Sequence, residues 1–222
     1  MRVLVISVHP DDETLGCGGT LLKHQDEGYG LDWVIVARAH EPQWSKELIV
    51  KKDFEIERVA EAYGMGSIHQ LGFPATKLDA LPLGEIIQAM GSVLSKILPT
   101  VVYLVHHGDA HTDHQTVFNA TMTTLKSFNM KKFGVEEILS YETLSSTDAS
   151  PPNPCIAFVP NVYNDITLYI ERKIEIMNLY KTEMQSYPLP RENSAVKALA
   201  RYRGAVVGVE YAEAFMLIRK VK

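Results

Sequence analysis

Residues 3–13 read VLVISVHPDDE, a run of six mainly apolar residues followed at once by one histidine, one proline and three carboxylates. The branched apolar run is typical of a buried strand, and Pro10 cannot continue the hydrogen-bond ladder of a sheet. The small residues of the segment 14–19 then favour a tight entry into a helix. The stretch therefore predicts a strand that ends in a strand-to-helix turn bearing an imidazole and carboxylates.

A second histidine-rich segment follows another apolar run. Residues 101–105 read VVYLV, and residues 106–114 read HHGDAHTDH. In an open parallel sheet, functional residues gather beyond the carboxyl ends of the strands, where these two segments are both expected to lie. The two segments therefore predict one shared site.

The residue types at this site are those that bind a divalent metal. His9 and Asp12 are three residues apart and can converge on one cation, so the neighbouring Asp11 would face whatever the cation holds. His114, at the start of the next helix, supplies a second nitrogen. Two histidines and one aspartate around Zn²⁺ leave a position open for water, as a catalytic zinc site requires.

The alternation of short apolar runs with segments of helical period predicts the fold class. We predict strands at 3–8, 32–37, 68–71, 101–105 and 138–142, and helices at 15–27, 46–63, 83–98 and 115–129. After a proline-rich loop at 145–154, we predict a strand at 156–159, a helix at 166–185 and a closing strand at 215–218. The expected fold is a single α/β domain over 1–222, Rossmann-like, with a mostly parallel sheet and helices on both faces.

Composition narrows the class of protein. The chain has 222 residues, 46% of them hydrophobic and 22% charged, as in ordinary globular domains. A net charge of -5 without a basic stripe excludes a typical nucleic-acid surface, so we expect a small-molecule partner. Neither a secretory leader nor an apolar run of about 18 residues is visible, which predicts a cytoplasmic protein without a membrane span. Cys17 and Cys155 fit neither a metal motif nor a disulfide framework.

Two other interpretations of these motifs were weighed. The HPD turn alone could be a helix-capping device, but the second histidine segment argues against that. The glycines of residues 16–19 (GCGG) could suggest a dinucleotide-binding module, yet the third glycine of that motif is missing and the turn is acidic where phosphates need donors. We expect these glycines to let the first helix press close to the sheet. His106 and His107 are expected to pack near their strand, and the isolated His24, His40 and His69 to have no site role.

Five motifs together resemble the LmbE-like, or PIG-L-like, zinc-dependent N-acetylglucosaminyl deacetylases. They are HPDDE at 9–13, TLGCGGT at 14–20, LGFP at 71–74, DAHTDH at 109–114 and YAEAF at 211–215. The likeness runs through nearly the whole chain. It implies a zinc-dependent enzyme that removes acetyl from an N-acetylated sugar or sugar conjugate, and relatives of this kind are frequently homo-oligomers.

The resemblance also implies roles for individual residues. The zinc ligands would be His9, Asp12 and His114. Asp11 matches the general base, and His111 matches the residue that stabilises the tetrahedral intermediate. Asp113 matches the carboxylate that orients His111 and keeps it charged.

The chain departs from its relatives on the substrate side. Many relatives carry an Arg-x-x-Glu pair on the second helix, where this chain has Lys52 and Glu55, and the loop 38–45 lacks their Thr-Asp-Gly. Because Lys replaces a planar fork with a point charge, substrate recognition is expected to differ. Candidate substrate contacts are Arg38, Trp44, Arg201 and Arg203.

Two rival functions stay open at this point. A zinc amidase acting on a non-sugar N-acyl amine would use the same metal residues, because these do not contact the sugar. A nucleotide-binding module without hydrolytic chemistry would use the glycine-rich turn instead. Acetate release and stoichiometric metal separate these functions from the predicted sugar deacetylase.

Overall fold

The strand that opens the chain lies in the middle of the sheet. In a computed structural model, which describes residues 1–221, β1 (Arg2–Ser7) lies between β2 (Gly30–Arg38) and β4 (Val101–Val105) and is parallel to both. The side chains from Val3 to Ile6 have no exposed surface. A parallel strand that is covered on both faces needs apolar side chains on both, which explains the unbroken apolar run.

The other strands complete a seven-stranded sheet: β3 (Ser67–Pro74), β5 (Glu137–Tyr141), β6 (Val162–Asp165) and β7 (Ala212–Lys220). The strand order is β3-β2-β1-β4-β5-β7-β6, and β7 runs antiparallel to both of its neighbours. The direction of winding reverses between β1 and β4, so a crevice forms beyond the carboxyl ends of these two strands. Both histidine-bearing segments leave the sheet at this crevice.

Seven α-helices and one short 3-10 helix (Leu78–Ala80) occur in the described part of the chain, and the α-helices are α1 (Asp12–Asp26), α2 (Lys46–Tyr63), α3 (Leu83–Ile97), α4 (Thr112–Thr124), α5 (Ser127–Phe133), α6 (Ile170–Met177) and α7 (Asn193–Val207). Helix α1 packs against α2 and α6, whereas α3 packs against α4. Right-handed crossovers place these two groups on opposite faces of the sheet. The predicted Rossmann-like fold is confirmed. None of the helices within residues 1–221 combines the length and apolar character needed to cross a bilayer.

The sequence-based elements are wrong mainly in the last third of the chain. Residues 156–159 form no strand, because the main-chain oxygen of Ile156 contacts His106 Nε2 at 2.8 Å and the amide of Val159 contacts a methionine sulfur. The strand at this edge of the sheet is β6, and its short polar sequence, VYND, shows little of the apolar–polar alternation that is typical of strands. The helix predicted at 166–185 is helical only over Ile170–Met177 and then turns, and α7 was not predicted.

The helix predicted at 115–129 is divided in the structure. Helix α4 begins at Thr112 and ends at Thr124, and α5 follows after a short break. The side-chain amide of Asn129 donates to the main-chain oxygen of Thr124 at 2.8 Å and so satisfies a carbonyl at the end of α4.

The glycine-rich start of α1 allows the close packing that its sequence predicted. A methyl group added at Gly16 would lie 2.0 Å from Cδ2 of Tyr141, a buried ring whose hydroxyl donates to the main-chain oxygen of Ile6 at 2.8 Å. The helix is interrupted at Cys17, where φ is -142°. The prediction that these glycines bring α1 against the sheet is confirmed at Gly16.

A buried ion pair between Glu213 of β7 and Lys173 of α6 stabilises α1 at this interruption. The amides of Gly19 and Thr20 donate to the carboxylate of Glu213 at 2.8 and 2.7 Å. Lys173 Nζ bonds the same carboxylate at 2.7 Å. The YAEAF motif therefore caps the second half of α1.

Candidate metal centre

The HPDDE turn and the start of α4 meet in the crevice beyond β1 and β4. His9, Asp12 and His114 each bring a nitrogen or oxygen atom within 4.8 Å of the other two. His114 Nε2 lies 3.5 Å from Asp12 Oδ1, and His9 Nδ1 lies 4.0 Å from Asp12 Oδ2. Ligand bonds of about 2.0–2.2 Å to one central ion span such separations. The donor set fits a divalent cation, and the structure brings together the three residues that the sequence placed at a metal.

Hydrogen bonds orient two of these ligands. Asp12 Oδ2 accepts the main-chain amides of Val8 and His9 at 2.9 and 2.8 Å, which leaves Oδ1 on the side of His114. His114 Nδ1 lies 2.7 Å from Asp109 Oδ2, which leaves Nε2 on the side of Asp12. The ligand atoms are therefore held in place by the protein itself.

Asp11 lies beside the metal ligands in a strained conformation. Its φ is 118°, in a region that non-glycine residues seldom adopt, and its side chain is buried. Burial, and then the charge of Asp12, raise the pKa of Asp11 to about 6, although Arg191 opposes the shift. Strain of this kind is typical of functional positions, where the surroundings impose the geometry.

His111 is the N-cap of α4, and its partner differs from the expected one. His111 Nδ1 accepts the main-chain amide of Asp113 at 3.1 Å. Since Nδ1 acts as an acceptor, the ring carries its proton on Nε2. Burial, and then the charge of His9, lower the pKa of His111. The charge of the Asp113 carboxylate acts in the opposite direction and favours the charged imidazole, as predicted, although the direct contact from Asp113 is its main-chain amide.

The carboxylate of Asp113 contacts other groups. It accepts the amides of Thr76 and Leu78 at 2.6 and 3.1 Å, and its Oδ2 lies 3.2 Å from His9 Nε2. The Asp113 carboxylate therefore contacts His9 directly and also holds the loop after β3 against the metal centre.

Glu13, the last residue of HPDDE, holds the turn in place through buried hydrogen bonds. Glu13 is fully buried, and its carboxylate accepts the hydroxyls of Ser7, Thr14 and Tyr180 at 3.1, 2.6 and 2.7 Å. Burial raises the pKa of Glu13 to about 7. These bonds connect the turn to β1, to α1 and to the segment after α6.

A cavity of about 410 Å³ opens over the metal residues. Its walls include Arg38 and Trp44, two of the four predicted substrate contacts. Arg201 and Arg203 lie outside it. Arg201 is exposed, and Arg203 makes two bonds to Glu142 at 2.7 and 2.6 Å. Neither arginine is placed for the expected contact in this cavity, because both lie on α7, a helix that was not recognised in the sequence.

Three charged residues of the cavity wall were not recognised as a group. Arg191 Nη1 contacts Asp11 Oδ2 at 2.8 Å and Glu183 Oε2 at 3.1 Å, and Lys52 bonds Glu183. Lys52 and Glu55 do not form the pair that the spacing suggested, since Glu55 accepts from Thr182. The segment between α6 and α7 carries no periodic pattern, so the sequence gives no sign that it returns to the site.

The remaining five histidines do not line this cavity. His106 Nε2 contacts the main-chain oxygen of Ile156 at 2.8 Å. Four further histidines are also absent from the cavity lining: His24, His40, His69 and His107. The site histidines are thus His9, His111 and His114.

Comparison with known proteins agrees with this geometry. A family model described as PIG-L, GlcNAc-PI de-N-acetylase, matches residues 4–125. The uncharacterized deacetylase YaiS of Escherichia coli K12 is 25% identical over 74% of this chain and 81% of that protein. The diacetylchitobiose deacetylase of Thermococcus kodakarensis is 23% identical over 98% of this chain and 83% of that protein.

A solved structure shows the same fold. The N,N'-diacetylchitobiose deacetylase from Pyrococcus horikoshii has a TM-score of 0.77 at 22% identity, and the match covers 98% of this chain and 84% of that one. The family model spans more than half of the chain, from the central strand β1 through α4, and includes every residue of the candidate metal centre. The chain therefore belongs to the PIG-L family of GlcNAc-PI de-N-acetylases.

Proposed function

We propose that this protein is a zinc-dependent hydrolase that removes the acetyl group from an N-acetylated amino sugar or sugar conjugate, giving acetate and a free amine. The observation that carries the proposal is the convergence of His9, Asp12 and His114 beside the buried carboxylate of Asp11. Nitrogen and oxygen ligands of this kind suit zinc, with a fourth position left for water or substrate. The family and the deacetylases among its relatives support the reaction.

The three ligands would hold the ion. When bound, zinc lowers the pKa of a coordinated water to about 7 and polarises the acetamide carbonyl. Asp109 and Asp113 keep the imidazoles of His114 and His9 turned toward the ion. This support lets the site keep its shape when substrate replaces solvent.

Asp11 is assigned to move the proton. Its carboxylate takes a proton from the attacking water and returns it to the amine that leaves, so that the two products are acetate and an amino sugar. A carboxylate whose pKa is raised toward neutrality by burial suits both halves of this transfer. Asp11 is placed next to the ligand Asp12 by the turn itself.

His111 is assigned to stabilise the oxygen of the tetrahedral intermediate. Because Nδ1 accepts the amide of Asp113, the proton on Nε2 is available for donation into the cavity. Donors of this kind contribute about 3–4 kcal/mol to transition-state stabilisation when measured by removal. The neutral ring can act as a hydrogen-bond donor without carrying a charge.

The cavity size is consistent with a small-molecule substrate such as an N-acetylated amino sugar. A volume of about 410 Å³ lies within the range of about 300–1,000 Å³ that is usual for small-molecule sites. The rival function, hydrolysis of a non-sugar N-acyl amine, is not favoured by two of the relatives, which are named as a probable N-acetyl-alpha-D-glucosaminyl L-malate deacetylase and a diacetylchitobiose deacetylase. The two free cysteines fit a reducing compartment, and we place the enzyme in the cytoplasm.

Acetate release tests the function directly. We expect zinc in about equal amount to protein, and acetate from N-acetylglucosamine or diacetylchitobiose but much less from acetylated amines without a pyranose ring. Asp11→Asn should keep the metal and lose most activity, whereas Asp12→Ala and His114→Ala should lose the metal. Equal metal loss in all three variants would contradict the assigned roles, and acetate from the acyclic amines alone would favour the rival amidase.

A further inference from the structure

We propose that Arg191 is a positioning residue for the reaction, which fixes the Asp11 carboxylate at the metal centre. The inference rests on the proposed function, in which Asp11 moves the proton. Arg191 is 180 positions from Asp11 in the chain, and its Nη1 contacts Asp11 Oδ2 at 2.8 Å.

Asp11 depends on this contact because the described residues offer its carboxylate no other hydrogen bond. The neighbouring Asp12 accepts two main-chain amides, but the only group that bonds the Asp11 carboxylate within residues 1–221 is Arg191. Without it, a buried carboxylate would stand unpaired beside the like charge of Asp12. A buried carboxylate without a hydrogen-bond partner has nothing to fix its orientation and turns toward solvent, which would remove the base from its working position.

The guanidinium is itself fixed by a row of alternating charges. Arg191 Nη1 also contacts Glu183 Oε2 at 3.1 Å, and Lys52 bonds Glu183 from the opposite side. The order Lys52, Glu183, Arg191 and Asp11 alternates positive and negative charge along the cavity wall. A single nitrogen of Arg191 therefore joins the base to a network that begins on α2.

The main chain holds Arg191 in place before any substrate arrives. Its amide donates to Gln185 Oε1 at 3.1 Å, and its carbonyl accepts the amide of Gln185 at 3.3 Å. The next residue, Glu192, caps α7 by accepting the amides of Ser194 and Ala195. The backbone on both sides of Arg191 is therefore held by hydrogen bonds within the protein itself.

Two substitutions and one matched control test the proposal. Arg191→Met should lower kcat about 100-fold with metal content kept and KM changed little, since a displaced catalytic group costs about that factor. Arg191→Lys should regain part of this loss, because one nitrogen makes both carboxylate contacts. Arg203→Met removes an arginine of similar burial that pairs with Glu142 away from the cavity, and it should leave kcat within about twofold.

A crystal structure of Arg191→Met provides a measurement that needs no substrate. We expect the Asp11 carboxylate to have turned from its position beside Asp12 while His9, Asp12 and His114 stay in place. An unmoved Asp11, a kcat like that of the parent, or equal losses in the Met and Lys variants would each overturn the proposal. Failure of the proposed function would show differently, as a parent enzyme that releases no acetate. Should Arg191→Met fail to fold, Arg191→Gln replaces it in both measurements.

Discussion

His114 Nδ1 lies 2.7 Å from Asp109 Oδ2, and both side chains are buried. The other ring nitrogen of His114 faces Asp12. His9 repeats the arrangement, with Nε2 on Asp113 and Nδ1 on the side of Asp12. A carboxylate on the outer nitrogen fixes the tautomer of a metal-binding imidazole and makes its inner nitrogen a better ligand. Both histidines are thus prepared for a cation by a buried aspartate.

Replacing Asp109 should weaken metal binding without removing a ligand. In Asp109→Asn the charge behind His114 is lost, and we expect zinc affinity to fall about 10–100-fold. Competition with a chromogenic chelator measures the change. Asp148→Asn is the matched control, because Asp148 is an exposed aspartate in the loop after β5 whose carboxylate accepts the main-chain amide of Ser145. Equal affinity of Asp109→Asn and the parent would reduce Asp109 to a packing residue.

A methyl group at Gly16 should destabilise the fold. The new atom would lie 2.0 Å from the Tyr141 ring, which is buried and cannot move without losing its own bond to Ile6. Overpacking of this kind costs about 1–3 kcal/mol, so Gly16→Ala should lower the free energy of unfolding in urea by that amount. Gly84→Ala is the control, because a methyl group there meets nothing within 4 Å and should be neutral or slightly stabilising. Equal stability of the two variants would show that α1 can shift away from the sheet.

The buried pair of Lys173 and Glu213 should matter far more than an exposed pair. Lys173 Nζ contacts Glu213 at 2.7 Å and the main-chain oxygen of Leu15 at 2.9 Å, all inside the protein. Lys173→Met leaves the Glu213 carboxylate buried without its cation, which costs about 3–5 kcal/mol of unfolding free energy. Lys197→Met breaks the exposed pair with Glu171 and should cost about 1 kcal/mol or less. Similar losses in urea for both variants would contradict a special role for the buried pair.

The sequence was informative where local pattern and topology act together. The apolar run of β1 with its HPDDE ending, together with the DAHTDH segment after β4, predicted a buried strand and the convergence of the three proposed ligands, because a parallel sheet brings the ends of its strands to one edge. Helix α2 was predicted with its observed bounds, Lys46–Tyr63. Here the helical period is unbroken, Ser45 caps the start and Gly64 ends the helix in a left-handed conformation.

Contacts made by segments without a period could not be predicted. Arg191 lies in a turn between α6 and α7, and only the folded chain shows that this turn returns to Asp11. The contact between Asp113 and His111 could not be specified for a related reason, since the residue spacing cannot distinguish the amide of Asp113 from its carboxylate. Periodicity predicts elements, whereas such contacts depend on where each turn ends.

The two cysteines should differ sharply in reactivity. Cys17 is fully buried at the interruption of α1, and burial raises the pKa of its thiol well above the usual value, so little reactive thiolate forms. Cys155 is exposed in the loop before β6. A chromogenic disulfide reagent should therefore modify one thiol rapidly in the folded protein and the second only in denaturant. The variant Cys155→Ser should show no rapid reaction, and a fast phase in that variant would mean that α1 opens readily at Cys17.

Combining Cys155→Ser with Lys173→Met should then speed modification of Cys17, because the bond that fastens the second half of α1 is weakened.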